Sequence, residues 1–321
     1  MSPLWLARHV APRTSAVMPA HSKALPVPIS CNPFAVRLRT YYGIKKETSM
    51  PTPPYTHPLN LLMQTVFTVT LWSLAAVLIV IAIRRSLRER SWFPILLVAS
   101  VAFGSLIEPL YDIAYHLLWF IPGQWTLFTS FDLPQPVWVM SAYIVVFAGP
   151  ALFLLPAMER GVTLPRLFRL AGITAVTTAV FEIAAIQCGT YMYYGSHPFR
   201  LFGYPLWIAF AEAAQIACFT IAALELRRRV RSEVGLLGLF VLFPANFCFT
   251  TLGAGFPGLI AINMVEPPLL FLSVAAALST LFFVGSLWLV ASVSSCVHTA
   301  GAQVALGRDS IAESAPGYQA A

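Results

Sequence analysis

The sequence predicts an all-α fold, a polytopic integral membrane bundle of about seven transmembrane helices. Hydrophobic residues fill 58% of its 321 positions and charged residues only 10%, a balance that no water-soluble domain of this size requires. Apolar runs recur at the length of about twenty residues that crosses the hydrocarbon core at 1.5 Å rise per residue. Arginines gather in every second loop, which orients the bundle.

The runs cover residues 61–83, 92–110, 136–156, 167–188, 202–224, 234–253 and 269–293. The loop after the first holds Arg84, Arg85, Arg88 and Arg90. Arg160 and Arg166 follow the third, with Arg169 just inside the fourth, and Arg227, Arg228, Arg229 and Arg231 follow the fifth. The alternate loops hold Arg200 alone, so the count is eleven to one. The positive-inside rule then puts the arginine loops and the C-terminus in the cytoplasm, or the matrix of an organelle, and the N-terminus outside.

Residues 1–49 contradict that orientation. They carry seven basic residues against the single acid Glu47, whereas thirteen basic residues face twelve acids from Met50 onward. The formal charge of +7 therefore belongs mostly to this leader and does not indicate a nucleic-acid partner. An organellar transit peptide, a disordered tail and a start placed upstream of a true Met50 all fit its Arg- and Ser-rich composition. Three short loops outweigh one leader, and the membrane domain is taken as residues 50–293. A disordered tail of small and polar residues is expected over 294–321. The five cysteines form no CxxC pair and no metal-ligand spacing.

An ionisable group inside the bilayer costs about 2.5–3.5 kcal/mol on insertion scales, so it normally faces the bundle interior. Here the acids converge on the outer half. Glu108 lies near the outer end of the second run, followed by Asp112 and His116, and Glu182 lies near the outer end of the fourth. Glu212 falls about 12–15 Å into the inward-running fifth run. Asn246 is past the middle of the sixth, and Glu266 precedes the seventh. Glu108, Asp112 and His116 share one helical face if the helix continues, but Pro109 favours a break that opens a new turn. Each acid alone has an alternative reading as interhelical glue. Asp112 and His116 alone make a poor metal site, and no metal is expected.

Two loops on the same side are rich in aromatics. Residues 111–135, with Trp119, Phe120, Trp125, Phe128 and Phe131, read as an interfacial segment or a cap over a cavity. Residues 189–207 bring Tyr191, Tyr193, Tyr194, His197, Tyr204 and Trp207 between glycines and prolines. They form either an aromatic belt or the wall of a lipophilic pocket whose π-faces stabilise cations. The lysines are confined to positions 23, 45 and 46, so no apolar run offers one for a retinal Schiff base. Walker A, HExxH and GxSxG motifs are absent, and the two halves do not repeat.

The segment Glu108-Pro109-Leu-Tyr-Asp112, then Leu133-Pro134-Gln-Pro136-Val-Trp138 with Tyr143, resembles the AveC-type spirocyclase family. So do Glu182, Tyr193-Tyr194-Gly195 and Gly203-Tyr-Pro205-Leu-Trp207, and the match runs over about residues 92–257. The resemblance implies a membrane enzyme that closes polyketide hydroxy-ketones to spiroketals, with dehydration in some cases. More distantly, the chain is similar to membrane-bound terpene cyclases and carotenoid hydratases. The shared chemistry delivers a proton to an oxygen or alkene and takes one back, a task for carboxyl groups in different environments.

The expected function is thus a cofactor-independent membrane cyclase or dehydratase for a lipophilic polyketide or isoprenoid-like substrate. Glu108, Glu182 and Glu212 are the candidate acid and base groups, with Asp112 and His116 tuning or relaying protons. Tyr193, Tyr194, Trp138, Trp207 and Asn246 are the candidate substrate contacts. The expected partners are a lipophilic small molecule and membrane lipid. A proton-coupled transporter using the same acids as a relay, and a scaffold subunit, are the rival readings.

Overall fold

A computed structural model of the chain describes residues 52–298. Seven of its helices are long and apolar enough to cross a membrane. They are α1 (Leu61–Glu89), α2 (Phe93–Tyr115), α3 (Val139–Glu159), α4 (Leu164–Gln187), α5 (Leu206–Arg229), α6 (Glu233–Ala254) and, after the short α7 (Phe256–Ile262), α8 (Leu269–Ser292). Each matches one expected apolar run. The leader expected over 1–49 and the tail beyond His298 lie outside the described residues.

Helix boundaries follow local chemistry. The Asn60 side chain caps α1 by accepting from the Met63 backbone N–H at 3.2 Å, satisfying one orphan donor of the first turn. At the far end α1 runs beyond its apolar stretch to Glu89, because its polar last turns are paired. Arg85 binds Glu89 and reaches Glu159 of α3 at 2.8 Å, while Arg227 of α5 bridges Glu89 at 2.9 Å and Glu159 at 3.0 Å. Two arginines that read in the sequence as loop charges thus tie three helices together. Arg227 also lies over the Phe93 ring, 4.8 Å from its centre.

α5 is the central helix, with most of its length buried. Ala209, Ala211, Ala213, Ala214, Ala217 and Ala223 keep its surface low, so its neighbours approach closely and dispersion contacts accumulate. The outer helices instead expose large apolar side chains, among them Leu62 and Val69 of α1, Val176 and Val180 of α4, and Leu270 and Leu281 of α8.

Three helices are irregular at the acid end. α2 tightens into a 3₁₀ turn at Ser105–Ile107 and resumes as α-helix at Glu108, which is itself helical at φ −48°, ψ −44°, so Pro109 opens a new turn without the break expected at Glu108. α3 and α6 widen into π-turns at Ile144–Ala148 and Cys248–Ala254. Such turns put side chains where a regular helix would not.

Short strands close this end. β1 (Leu117–Trp119) pairs antiparallel with β5 (Tyr191–Tyr193), setting Leu117 opposite Tyr193 and Trp119 opposite Tyr191. β2 (Thr126–Ser130) and β3 (Leu133–Pro136) form a hairpin, and β6 (Arg200–Leu201) pairs with β7 (Tyr204–Pro205). The stretch 111–135 is therefore not one interfacial segment. Its first five residues finish α2, Trp119 and Phe120 are buried, and Trp125 and Phe131 are exposed.

At the arginine end, β4 (Val162–Thr163) pairs in parallel with β8 (Val297–His298). Of the tail, only residues 294–298 are described, and these are held in place. The Ser295 backbone N–H and hydroxyl both donate to Glu225 at 2.7 Å, and Arg229 holds the same carboxylate at 2.7 Å. An acid near the end of α5 thus anchors the start of the tail.

Candidate functional site

At the acid end the helices surround a small cavity, with about 50 Å³ of space open to water-sized molecules. Glu108 of α2, Glu182 of α4 and Glu212 of α5 all line it. Antiparallel packing explains the convergence, since the late turns of α2 and α4 lie at the same end as the early turns of α5. Among the described residues no three His, Cys, Asp or Glu side chains are close enough to hold one metal ion. The three glutamates reach the cavity from three different helices.

Each glutamate accepts a hydrogen bond from a tyrosine on a different element. Tyr143 of α3 donates to Glu108 at 2.6 Å, Tyr193 of β5 to Glu182 at 3.2 Å, and Tyr204 of β7 to Glu212 at 3.1 Å. The Tyr111 and Tyr193 hydroxyls are 3.2 Å apart, which links the α2 wall to the β5 wall. These bonds fix the carboxyl groups in orientation without supplying a positive charge. Burial first, and neighbouring acids second, push the Tyr191, Tyr193 and Tyr204 hydroxyls well above the ordinary tyrosine range. They are therefore neutral donors at any ordinary pH.

The remaining wall is mostly aromatic. Trp119 meets Trp138 and Tyr191 edge to face, with ring centres 4.9 and 4.5 Å away. Phe147, Phe181 and Phe247 line other sides. Such rings pack an apolar guest while presenting negative π-faces.

The structure sorts the expected site residues into groups. Glu108, Glu182, Glu212, Tyr193 and Trp138 share the cavity. Asp112 is buried just behind it, accepting from Gln135 of β3 at 2.6 Å. Asp112 stays on the Glu108 face of α2, but His116 does not, because it takes the left-handed capping conformation at φ 53° and turns away. His116 Nε2 lies 3.0 Å from the Asn263 side-chain oxygen, and its ring stacks on Tyr194 at 4.9 Å. The Asn263 amide nitrogen donates to the Ala114 and Leu259 carbonyls, so its oxygen must accept and His116 carries its hydrogen on Nε2.

Tyr194 and Trp207 belong to this second, aromatic–histidine cluster and do not line the cavity. Asn246 is in a third place, donating to Gln215 of α5 through its side-chain amide, with Thr250 on the same glutamine at 2.7 Å. That knot joins α5 and α6.

Tyr111, Tyr143 and Gln135 were not singled out as site residues by sequence reasoning. A signal existed for two of them: Tyr111 is one turn after Glu108, and Tyr143 is the one phenol in an apolar run whose other hydroxyl is Ser141. Gln135 had none, because its contact depends on the β2–β3 hairpin.

His197 is buried between Tyr193, Trp207 and His116. Burial, with the charges of Arg200 and His116 adding to it, pushes its imidazole down to about 3. An unfolded chain binds this proton near pH 6.5 and the folded chain does not, so acidification from about 6.5 towards 3 costs stability. His197→Gln is expected to reduce the drop in unfolding temperature between about pH 7 and pH 5, measured in detergent, relative to wild type. An unchanged drop would show that His197 titrates normally.

No family model matches the chain, and neither does any curated protein or solved structure.

Proposed function

We propose that the chain is a multi-pass membrane enzyme that uses cavity carboxyl groups as acid and base on a lipophilic substrate, without a cofactor. The observation that carries this reading is the meeting of Glu108, Glu182 and Glu212, from three helices, around one aromatic cavity. A group that is costly to bury recurs three times in the same small space, where packing alone would scatter it. The AveC-like resemblance adds a reaction. One carboxylic acid protonates the carbonyl oxygen of a dihydroxy-ketone while a hydroxyl adds to the carbon and yields its proton to a carboxylate. Protonation of the resulting hemiketal hydroxyl expels water, leaving an oxocarbenium ion. The second hydroxyl then closes the spiroketal and returns a proton to the site. Confinement in a shaped cavity removes much of the entropy cost of the two closures.

The test is conversion of a long-chain dihydroxy-ketone by the purified protein in detergent, where no gradient exists. Spiroketal formation faster than in protein-free micelles supports the reading. Flux of such a molecule across sealed vesicles without conversion would contradict it and make the chain a transporter.

The same reading puts the arginine end in the cytoplasm, with the cavity opening towards the outer side. Single cysteines at Ser86 and Ser232, in a background free of the native cysteines, are expected to react with a membrane-impermeant thiol reagent only after cells are opened. Labelling of either in intact cells would invert or break this topology.

A further inference from the structure

The eleven arginines of the arginine end fall into two groups. Arg85, Arg227, Arg228 and Arg229 are paired with Glu89, Glu159 or Glu225. Of the other seven, Arg90, Arg160 and Arg231 follow the ends of helices, while four lie on helix faces. Arg84 and Arg88 belong to the last turns of α1, and Arg166 and Arg169 to the first turns of α4. All four are exposed, and among the described residues none of them has an ion pair.

Their spacing sets each pair at the end of an apolar stripe that faces outward. On α1, Leu74, Val77, Ile81, Arg84 and Arg88 follow one another at steps of three and four residues. On α4, Arg166, Arg169, Ile173, Val176 and Val180 repeat the same steps in the opposite order of polarity. The six apolar members are 41–64% exposed, so these faces meet nothing within the bundle. From Leu74 to Arg84, and from Val180 to Arg169, the rise is about 15–17 Å, close to the hydrocarbon depth of one leaflet. Such a stripe is not general to the bundle. α8 also exposes Leu270 and Leu281, but it has no basic residue in its last turn.

We propose that these two stripes are binding sites for an anionic phospholipid, its acyl chain lying along the apolar residues and its phosphate held by the arginine pair. A guanidinium group offers a fork of donors that matches phosphate oxygens, and these four have no carboxylate to take them instead. A zwitterionic lipid brings the same chain and phosphate but also its own cation, which leaves no net charge for the arginines to complement. The inference rests on the helices spanning a bilayer and is independent of the acid–base reading of the cavity.

The experiment follows thermal unfolding of the full chain in a non-ionic detergent. Dioleoylphosphatidylglycerol, dioleoylphosphatidylcholine or inorganic phosphate is added at equal concentration. Phosphatidylglycerol is expected to raise the unfolding temperature by about 3 °C or more, and the other two by less than about 1 °C. Arg84→Gln with Arg88→Gln, and Arg166→Gln with Arg169→Gln, should each lose part of that rise. Arg160→Gln with Arg231→Gln removes the same charge from outside the stripes and should keep all of it. In the wild-type protein, no rise, or equal rises with the two lipids, overturns the inference whatever the variants do. An equal rise with inorganic phosphate does so too, because the ligand would then be a free anion. A loss in the Arg160/Arg231 variant as large as in the stripe variants would reduce the effect to overall charge and overturn the sites. A rise that either stripe variant keeps in full removes the site on that helix.

Discussion

Exchanging Glu108, Glu182 and Glu212 singly for glutamine is expected to lower turnover by about 10²–10⁴-fold at one or more of the three positions, the usual worth of a general acid or base. Glutamine keeps the size of the side chain and still offers an oxygen to the tyrosine that holds it, namely Tyr143, Tyr193 or Tyr204. What it loses is the transferable proton. Expression and unfolding temperature should therefore stay near wild type while kcat falls, separating chemistry from packing. Tyr143→Phe, Tyr193→Phe and Tyr204→Phe remove only the orienting bond, and their effects should be smaller. If all three glutamine variants keep full activity, the carboxyl groups are interhelical glue and not catalysts.

The second large effect is structural. An alanine at Gly104 would place its Cβ 2.1 Å from Cδ1 of Phe243, far inside the contact distance of real side chains. The Phe243 ring cannot retreat easily, since it is fully buried and packed edge to face against Phe219 at 5.0 Å and Phe147 at 6.0 Å. Gly104 thus sets how closely α2 and α6 approach, just before the 3₁₀ turn that presents Glu108. Gly104→Ala is expected to cost about 2–3 kcal/mol, with larger residues costing more. Thermal unfolding in detergent measures it. Combining the change with Phe243→Leu should recover part of the loss, because the smaller side chain vacates the contested space. No loss in the single variant would mean that the two helices are not packed as described.

Much of this architecture was legible in the sequence, and for physical reasons. Spanning length and hydropathy act along the chain, so seven helices could be read from local composition alone. Glu108, Glu182 and Glu212 could be brought together because alternation of direction between short loops fixes which ends are neighbours. Pro109 marked the irregular stretch of α2, since its ring cannot continue the preceding hydrogen-bond ladder, although Glu108 stays helical and α2 runs on. What was not legible depends on distant partners. His116 reads as the third member of an i, i+4 series, yet its left-handed cap turns it towards Asn263, 147 positions along the chain. The β1–β5 pairing, which sets Trp119 against Tyr191, joins two loops more than seventy residues apart. Asn246 looked like a cavity residue by depth, but helix rotation turns it to Gln215. Likewise, Ser294 and Ser295 read as a disordered polar tail because nothing local reveals Glu225 waiting at the end of α5.

The central claim is that acids from separate helices share one cavity, and a double-mutant cycle on Glu182 and Glu212 tests it most directly. Both carboxyl groups line the cavity. Unfolding free energies of wild type, Glu182→Gln, Glu212→Gln and the double variant can be measured in one detergent without knowing the substrate. A shared cavity predicts a coupling energy of about 0.5–3 kcal/mol, because removing one carboxyl group changes the surroundings in which the other is buried. Effects that add to within about 0.3 kcal/mol would place the two carboxyl groups in independent surroundings and contradict the account.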